Sequence, residues 1–132
     1  MPSQESWDHL LNKLKKYCSR GFPNAFWFDR ELFNLHEKDP ETLKLSKKLG
    51  LPPQKLFIRY GLYGVCYFLL EKFKVSFPQD IYSEEENRRC ALDLLSKIKE
   101  KFPRKDDLDL LVYYLKPYKT KDKRLKALLE NL

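Results

Sequence analysis

The stretch QKLFIRYGLYGVCYFLLEKFK, residues 54–74, follows Pro52-Pro53 and carries no charged side chain from Tyr60 to Leu70. A helix that is apolar on every side is either enclosed by other elements or set in a membrane. The eleven uncharged residues between Arg59 and Glu71 fall short of the roughly 20 needed to span a bilayer. The stretch therefore predicts a buried central helix over about residues 53–74. Gly61 and Gly64 would each cost a helix interior about 1 kcal/mol relative to Ala. Their presence points to a neighbouring helix packed closely against them.

Outward from this centre, helical punctuation recurs and no long run alternates with period two. On the N-terminal side, Asp39-Pro40-Glu41 combines a capping side chain, Pro at the first helical position and an acid facing the dipole, and that helix ends at Gly50. The aromatic segment before it, AFWFDRELFNLHEK, is too dense in rings for one amphipathic element. It predicts a short helix from about Asp29 to Lys38. Ser3 is placed to cap a first helix running to about Arg20, with Trp7, Leu10, Leu11, Leu14, Tyr17 and Cys18 on one stripe and Lys13, Lys15, Lys16 and Arg20 mostly off it. Gly21 and Pro23 would stop it.

On the C-terminal side, Phe77-Pro78-Gln79-Asp80 is a turn, and Ser83-Glu84-Glu85-Glu86 is a capping box. The helix beyond it carries Ala91, Leu94, Leu95, Ile98 and Phe102 on one face and stops at Pro103. Asp106 caps a helix that Pro117 ends, and a last helix starts near Thr120 with Leu125, Leu128, Leu129 and Leu132 on one stripe. The whole reads as one all-α domain over residues 1–132, a single compact bundle of six or seven helices around the buried centre.

Composition sets the outer bounds. At 132 residues, with 42% hydrophobic and 14% aromatic side chains, the chain has the length of one domain and too many rings for intrinsic disorder. Its 26 Lys and Arg against 19 Asp and Glu leave +7, a balance that favours anionic partners. Three scattered cysteines without a CxxC pair point to a reducing compartment rather than a disulfide framework. The N-terminal residues lack the basic and apolar regions of a secretory signal, so the expected location is cytoplasmic, with no membrane association.

Candidate chemistry is sparse. Only His9 and His36 are available, and no Cys pair has zinc-ligand spacing, so neither a metal nor another cofactor is expected. No phosphate-cradling glycine loop and no GxSxG elbow is present. Arg30-Glu31-Leu32-Phe33-Asn34-Leu35-His36 resembles the R-x(4–6)-H pattern of HEPN ribonucleases, small all-α domains that usually act as dimers. The resemblance implies metal-independent RNA cleavage. In that chemistry His36 would move a proton and Arg30 would stabilise charge on a pentacoordinate phosphate. Glu31 stands where that family usually has a small polar residue, and the motif lies in the first third of the chain rather than near its end.

The basic C-terminal quarter carries more weight. Residues 97–126 hold eleven Lys and Arg and five acids, hence +6 of the total +7. The candidate grip on nucleic acid, RNA or DNA, is Lys97, Lys101, Arg104, Lys105, Lys116, Tyr118, Lys119, Lys121, Lys123, Arg124 and Lys126. Such cations neutralise phosphates, and tyrosines such as Tyr113, Tyr114 and Tyr118 can stack on unpaired bases. Lys13, Lys15, Lys16 and Arg20 would extend the patch if the chain ends meet. The expected function is a non-catalytic, nucleic-acid-binding accessory protein or subunit of a larger complex, without strong sequence specificity. In size, basicity and helical character the chain is similar to the small helical subunits of CRISPR effector complexes, a similarity of type that rests on no motif. The alternative is a protein-interaction module, an inhibitor or adaptor, that uses the aromatic cluster Phe22, Phe26, Trp27, Phe28 and Phe33.

Overall fold

Helix ends fall where short-range chemistry puts them. The Asp29 carboxylate accepts from the Leu32 N–H, the Ser83 hydroxyl from Glu86, the Asp106 carboxylate from Asp109 and the Asp122 carboxylate from Leu125. Each side chain satisfies a donor that the first helical turn leaves free. The computed structural model describes residues 4–18, 26–117 and 122–132. Its α-helices are α1 (Gln4–Cys18), α2 (Arg30–His36), α3 (Pro40–Leu49), α4 (Tyr67–Phe73), α5 (Glu84–Lys101), α6 (Asp107–Leu115) and α7 (Lys123–Glu130). Between them lie a 3-10 turn (Pro53–Phe57) and three short strands, β1 (Phe26–Phe28), β2 (Ile58–Tyr60) and β3 (Val65–Cys66). The expected cap Ser3, stops Gly21 and Pro23, and helix start Thr120 lie outside the described residues.

The molecule is mostly helical but not all-α, and the helix expected over 53–74 is not formed. That stretch is instead a 3-10 turn, a β-hairpin and a short helix. β2 pairs antiparallel with β3 (Arg59 opposite Cys66, Tyr60 opposite Val65), and β1 joins the outer side of β2 (Phe26 opposite Tyr60, Trp27 opposite Arg59, Phe28 opposite Ile58). Gly61 and Gly64 are the reason. Their φ values of 74° and 55° belong to the left-handed region, which no helix interior can contain. They close the four-residue loop 61–64, with the Gly64 N–H donating to the Gly61 carbonyl at 3.1 Å. The segment reads as apolar all round because the hairpin is covered on both faces: Phe57, Arg59, Tyr63, Val65 and Cys66 are all buried.

Three buried polar side chains hold this hairpin. Asn87 on α5 accepts from the Tyr63 N–H (2.9 Å) and donates to the carbonyls of Tyr60 (3.0 Å) and Ile81 (2.7 Å). The Tyr114 hydroxyl on α6 donates to the Tyr63 carbonyl at 2.8 Å, and burial pushes that phenol's pKa well above its ordinary value. Arg59 spends all five N–H donors: Nε on Asp29 (2.9 Å), the rest on the carbonyls of Gly64, Tyr114 and Leu115. It thereby ties β2 to the N-cap of α2 and to the open carbonyl end of α6.

The most enclosed helix is α6, in which every residue from Leu110 to Leu115 is buried. It packs against α1, α5 and α7. The α1 stripe Trp7, Leu10, Leu11, Leu14 and Cys18 is buried as its spacing predicts, and Tyr17 is half-buried. Lys13, read as off the stripe, is buried too. Its ammonium donates to the Leu129 and Glu130 carbonyls (2.7 and 3.3 Å), satisfying the C-terminal end of α7. The two ends of the described chain do meet, but through a capping contact.

Cys18, Cys66 and Cys90 are free and buried. Burial raises all three thiols, with Cys18 and Cys90 pushed up to about 12. Alkylation of the native protein by iodoacetamide at pH 8 is therefore expected to run at least about 100-fold slower than that of a free thiol, because the thiolate is the nucleophile. Mass spectrometry should find three alkyl groups per chain only after denaturation. Rapid native labelling of Cys18 would contradict this packing.

Candidate nucleic-acid interface

Among the described residues, the cations of the C-terminal quarter do not form one stretch in space. Lys116 is drawn inward between Glu31 (3.6 Å) and Asp122 (3.5 Å). Lys126 is held by Asp106 (3.1 Å) and Asp109 (3.2 Å), the acids that open α6. The carboxylates beside α7 thus offset much of the charge that the sequence concentrates there. Lys123 and Arg124 are exposed on the first turn of α7. Tyr118, Lys119 and Lys121 lie outside the described residues. Tyr113 and Tyr114 are core residues, 5% and 0% exposed, so neither ring faces solvent.

A second group of candidates behaves differently. Lys97, Lys101 and Arg104 are exposed, Lys105 is half-buried, and none of the four is ion-paired among the described residues. α5 brings them together. Glu84, Glu85 and Glu86 occupy its first turn and Lys99 and Lys101 its last, a distribution that complements the helix dipole. Rings gather the cations further. The Lys101 ammonium lies 5.5 Å from the centroid of Phe73 and 5.7 Å from that of Phe102. The Lys105 ammonium lies 5.3 Å from Phe102 and 5.7 Å from Tyr113. Cation–π contact fixes both lysine heads without neutralising them. Lys99 donates to the Lys105 carbonyl (2.7 Å) and so holds the turn between α5 and α6 that presents Arg104.

One face of α5 continues this cluster into a cleft of about 450 Å³, walled opposite by the segment after α4. Lys74, Arg89 and Lys97 line it beside Ser96, Asp93 and Glu100. Along the helix, Arg89 to Lys97 is about 12 Å and Lys97 to Lys101 about 6 Å, at the usual rise per residue. Sequence reasoning missed Lys74 and Arg89 as parts of this surface. Each is an isolated cation in the sequence, and only the packing of residues 74–78 on α5 places them there. A second cavity of about 240 Å³, lined by Tyr17, Trp27, Arg30, Glu31, Arg59 and Lys116 among others, has at its base an Arg59 whose donors are all engaged.

The structure separates Arg30 from His36. They sit at the two ends of α2, about 9 Å apart along its axis and about 120° apart around it. The His36 ring stacks on Phe57 and Phe68 (centroids 6.2 and 5.7 Å), with Nδ1 2.6 Å from the Asp39 carboxylate. That carboxylate is turned away from capping α3. In the aromatic segment, Trp27 packs inward over Gly64, while Phe26 and Phe28 are 61% and 37% exposed. Among the described residues no cluster of three or more His, Cys, Asp or Glu side chains could hold a metal, and no helix is long and apolar enough to cross a membrane.

No family model, curated protein or solved structure matches this chain.

Proposed function

We propose that the protein is a non-catalytic nucleic-acid-binding protein, an accessory factor or a subunit of a larger complex, that grips the phosphate backbone without reading base sequence. The observation that supports this is the set Lys97, Lys101, Arg104 and Lys105 at the end of α5, none of them ion-paired among the described residues and two, Lys101 and Lys105, held over rings. Lys74 and Arg89, the latter 3.7 Å from Glu86, continue it along the cleft. Counterion release on phosphate contact supplies the affinity. Point charges spaced along a helix face carry no pattern of donors and acceptors that tells one base pair from another. Lys116 and Lys126 are left out of the grip, because each ammonium is already matched by two carboxylates.

The test is binding of a fluorescein-labelled 20-nucleotide strand and of the matching duplex, measured by anisotropy across a salt series. Native protein should lose affinity linearly in log–log form. Lys97→Glu with Lys101→Glu and Arg104→Glu should weaken binding at least about tenfold and flatten the salt slope by about 2 to 3. Circular dichroism should stay native, since these side chains are exposed. Undiminished binding by the triple variant, or no binding by the native protein at low salt, would overturn the reading.

A further inference from the structure

Four aromatic side chains form a contiguous ledge at the edge of the core. Phe26, Phe77 and Tyr82 are 61%, 44% and 41% exposed, and each leans on the half-buried Tyr60. Ring centroids from Tyr60 are 6.3 Å to Phe26, 5.3 Å to Phe77 and 6.3 Å to Tyr82. The ledge is held from beneath. Asn87 donates to the Tyr60 carbonyl at 3.0 Å, and the Tyr67 ring on α4 supports Phe77 at 5.6 Å. Rings fixed in this way present their faces with little entropy left to lose on binding.

The place of the ledge says what it fits. Ser76 and Pro78, the two neighbours of Phe77, line the same cleft as Lys74, Arg89 and Lys97. Phe77 therefore stands on the wall between the rings and the cations. Two of the four ledge rings are tyrosines, whose hydroxyls suit a partner with polar edges better than a purely apolar protein face. In the sequence Tyr82 stands between Asp80 and the run Glu84-Glu85-Glu86, so a polyanion is repelled at that end and drawn toward Lys74. We infer that the ligand of the proposed interface is single-stranded, with unpaired bases stacked on Phe77, Tyr60, Tyr82 and Phe26 while its phosphates run over the cleft to Lys101 and Arg104. This rests on the backbone-binding reading above and adds the strandedness of the partner. A duplex keeps its bases stacked inside and offers the ledge nothing, whereas every unpaired base has a face to give.

The experiment compares three fluorescein-labelled probes of equal length: a 12-nucleotide thymidine strand, a 12-nucleotide abasic strand and a 12-base-pair duplex. Native protein should bind the thymidine strand at least about tenfold more tightly than the abasic one, given the usual strength of base–ring stacking. Phe77→Ala with Tyr82→Ala should remove that margin, leave the abasic affinity within about twofold and leave the salt slope unchanged. Phe26→Ala, at the most exposed ring, is a second variant that asks little of the fold and should reduce the margin in part. Phe77→Tyr with Tyr82→Phe should retain it. Equal binding of the thymidine and abasic strands, with native salt dependence, would overturn the stacking inference and leave the backbone grip standing. No binding of any probe at low salt would remove both, and the ledge would then be a protein-docking face.

Discussion

Replacing Arg59 by methionine lowers the stability of this protein by about 3–5 kcal/mol, the range found when one partner of a buried ion pair is removed. Arg59 is 2% exposed, and the Asp29 carboxylate it meets keeps the Leu32 N–H but loses its counter-charge when the guanidinium goes. Without it the Asp29 carboxylate is left facing an apolar side chain. The Gly64, Tyr114 and Leu115 carbonyls lose their donor, and buried unmatched acceptors cost about 1–3 kcal/mol each where water cannot reach them. Arg59→Lys should recover only part of the loss, because one ammonium cannot reproduce a planar fork aimed at four acceptors. Guanidinium denaturation followed by the fluorescence of Trp7 and Trp27 measures both. A loss below about 1 kcal/mol for the methionine variant would mean that water replaces the guanidinium and that this junction is not dry.

Gly61→Ala should be nearly as damaging, for two separable reasons. The backbone there has φ 74°, which costs an L side chain about 1–2 kcal/mol. The new Cβ would also press on the Asn87 amide nitrogen, pushing aside a group that makes three hydrogen bonds, two of them fully buried. Together these predict a loss of about 3–5 kcal/mol. Asn87→Ala alone should cost about 3 kcal/mol for the same three bonds. The double variant should then lose only about 1–2 kcal/mol more, since the clash is gone and only backbone strain remains. Strict additivity of the two single changes would show that Asn87 does not press on the turn.

The helix boundaries were legible because their causes are local. Asp29, Ser83 and Asp106 each cap the helix they precede, and Gly50 and Pro103 sit just past helix ends. The hairpin was not legible, because a short apolar run reads alike in a buried strand and a buried helix. Arg59 hid it further. At the edge of an uncharged run it reads as the solvent-facing boundary, yet it is a buried tie between three elements. The rule that an all-round apolar helix is enclosed does hold here, for α6, where Leu110–Leu115 follows the acidic first turn. Of the proposed interface, the α5 cations were visible as types. Their separation from Lys116 and Lys126 was not, because the carboxylates that match those two come partly from elsewhere in the chain, as with Glu31. Of the ledge only Phe26 stood out, within the aromatic segment; Tyr60, Phe77 and Tyr82 were missed. Large rings in a turn-forming stretch, Phe77 before Pro78 and Tyr82 before Ser83, were the available sign, since turns seldom bury such side chains on their own.

The contact between Lys13 and the end of α7 reaches across 116 positions of sequence. A ribosome delivers the chain from its N-terminus, at several residues per second. For most of that time the Lys13 ammonium must stay hydrated, because the carbonyls of Leu129 and Glu130 that receive it do not yet exist. An unmatched ammonium resists burial, so α1 cannot seat that side of itself until α7 has been made. At this contact an element made early waits on one made more than a hundred residues later.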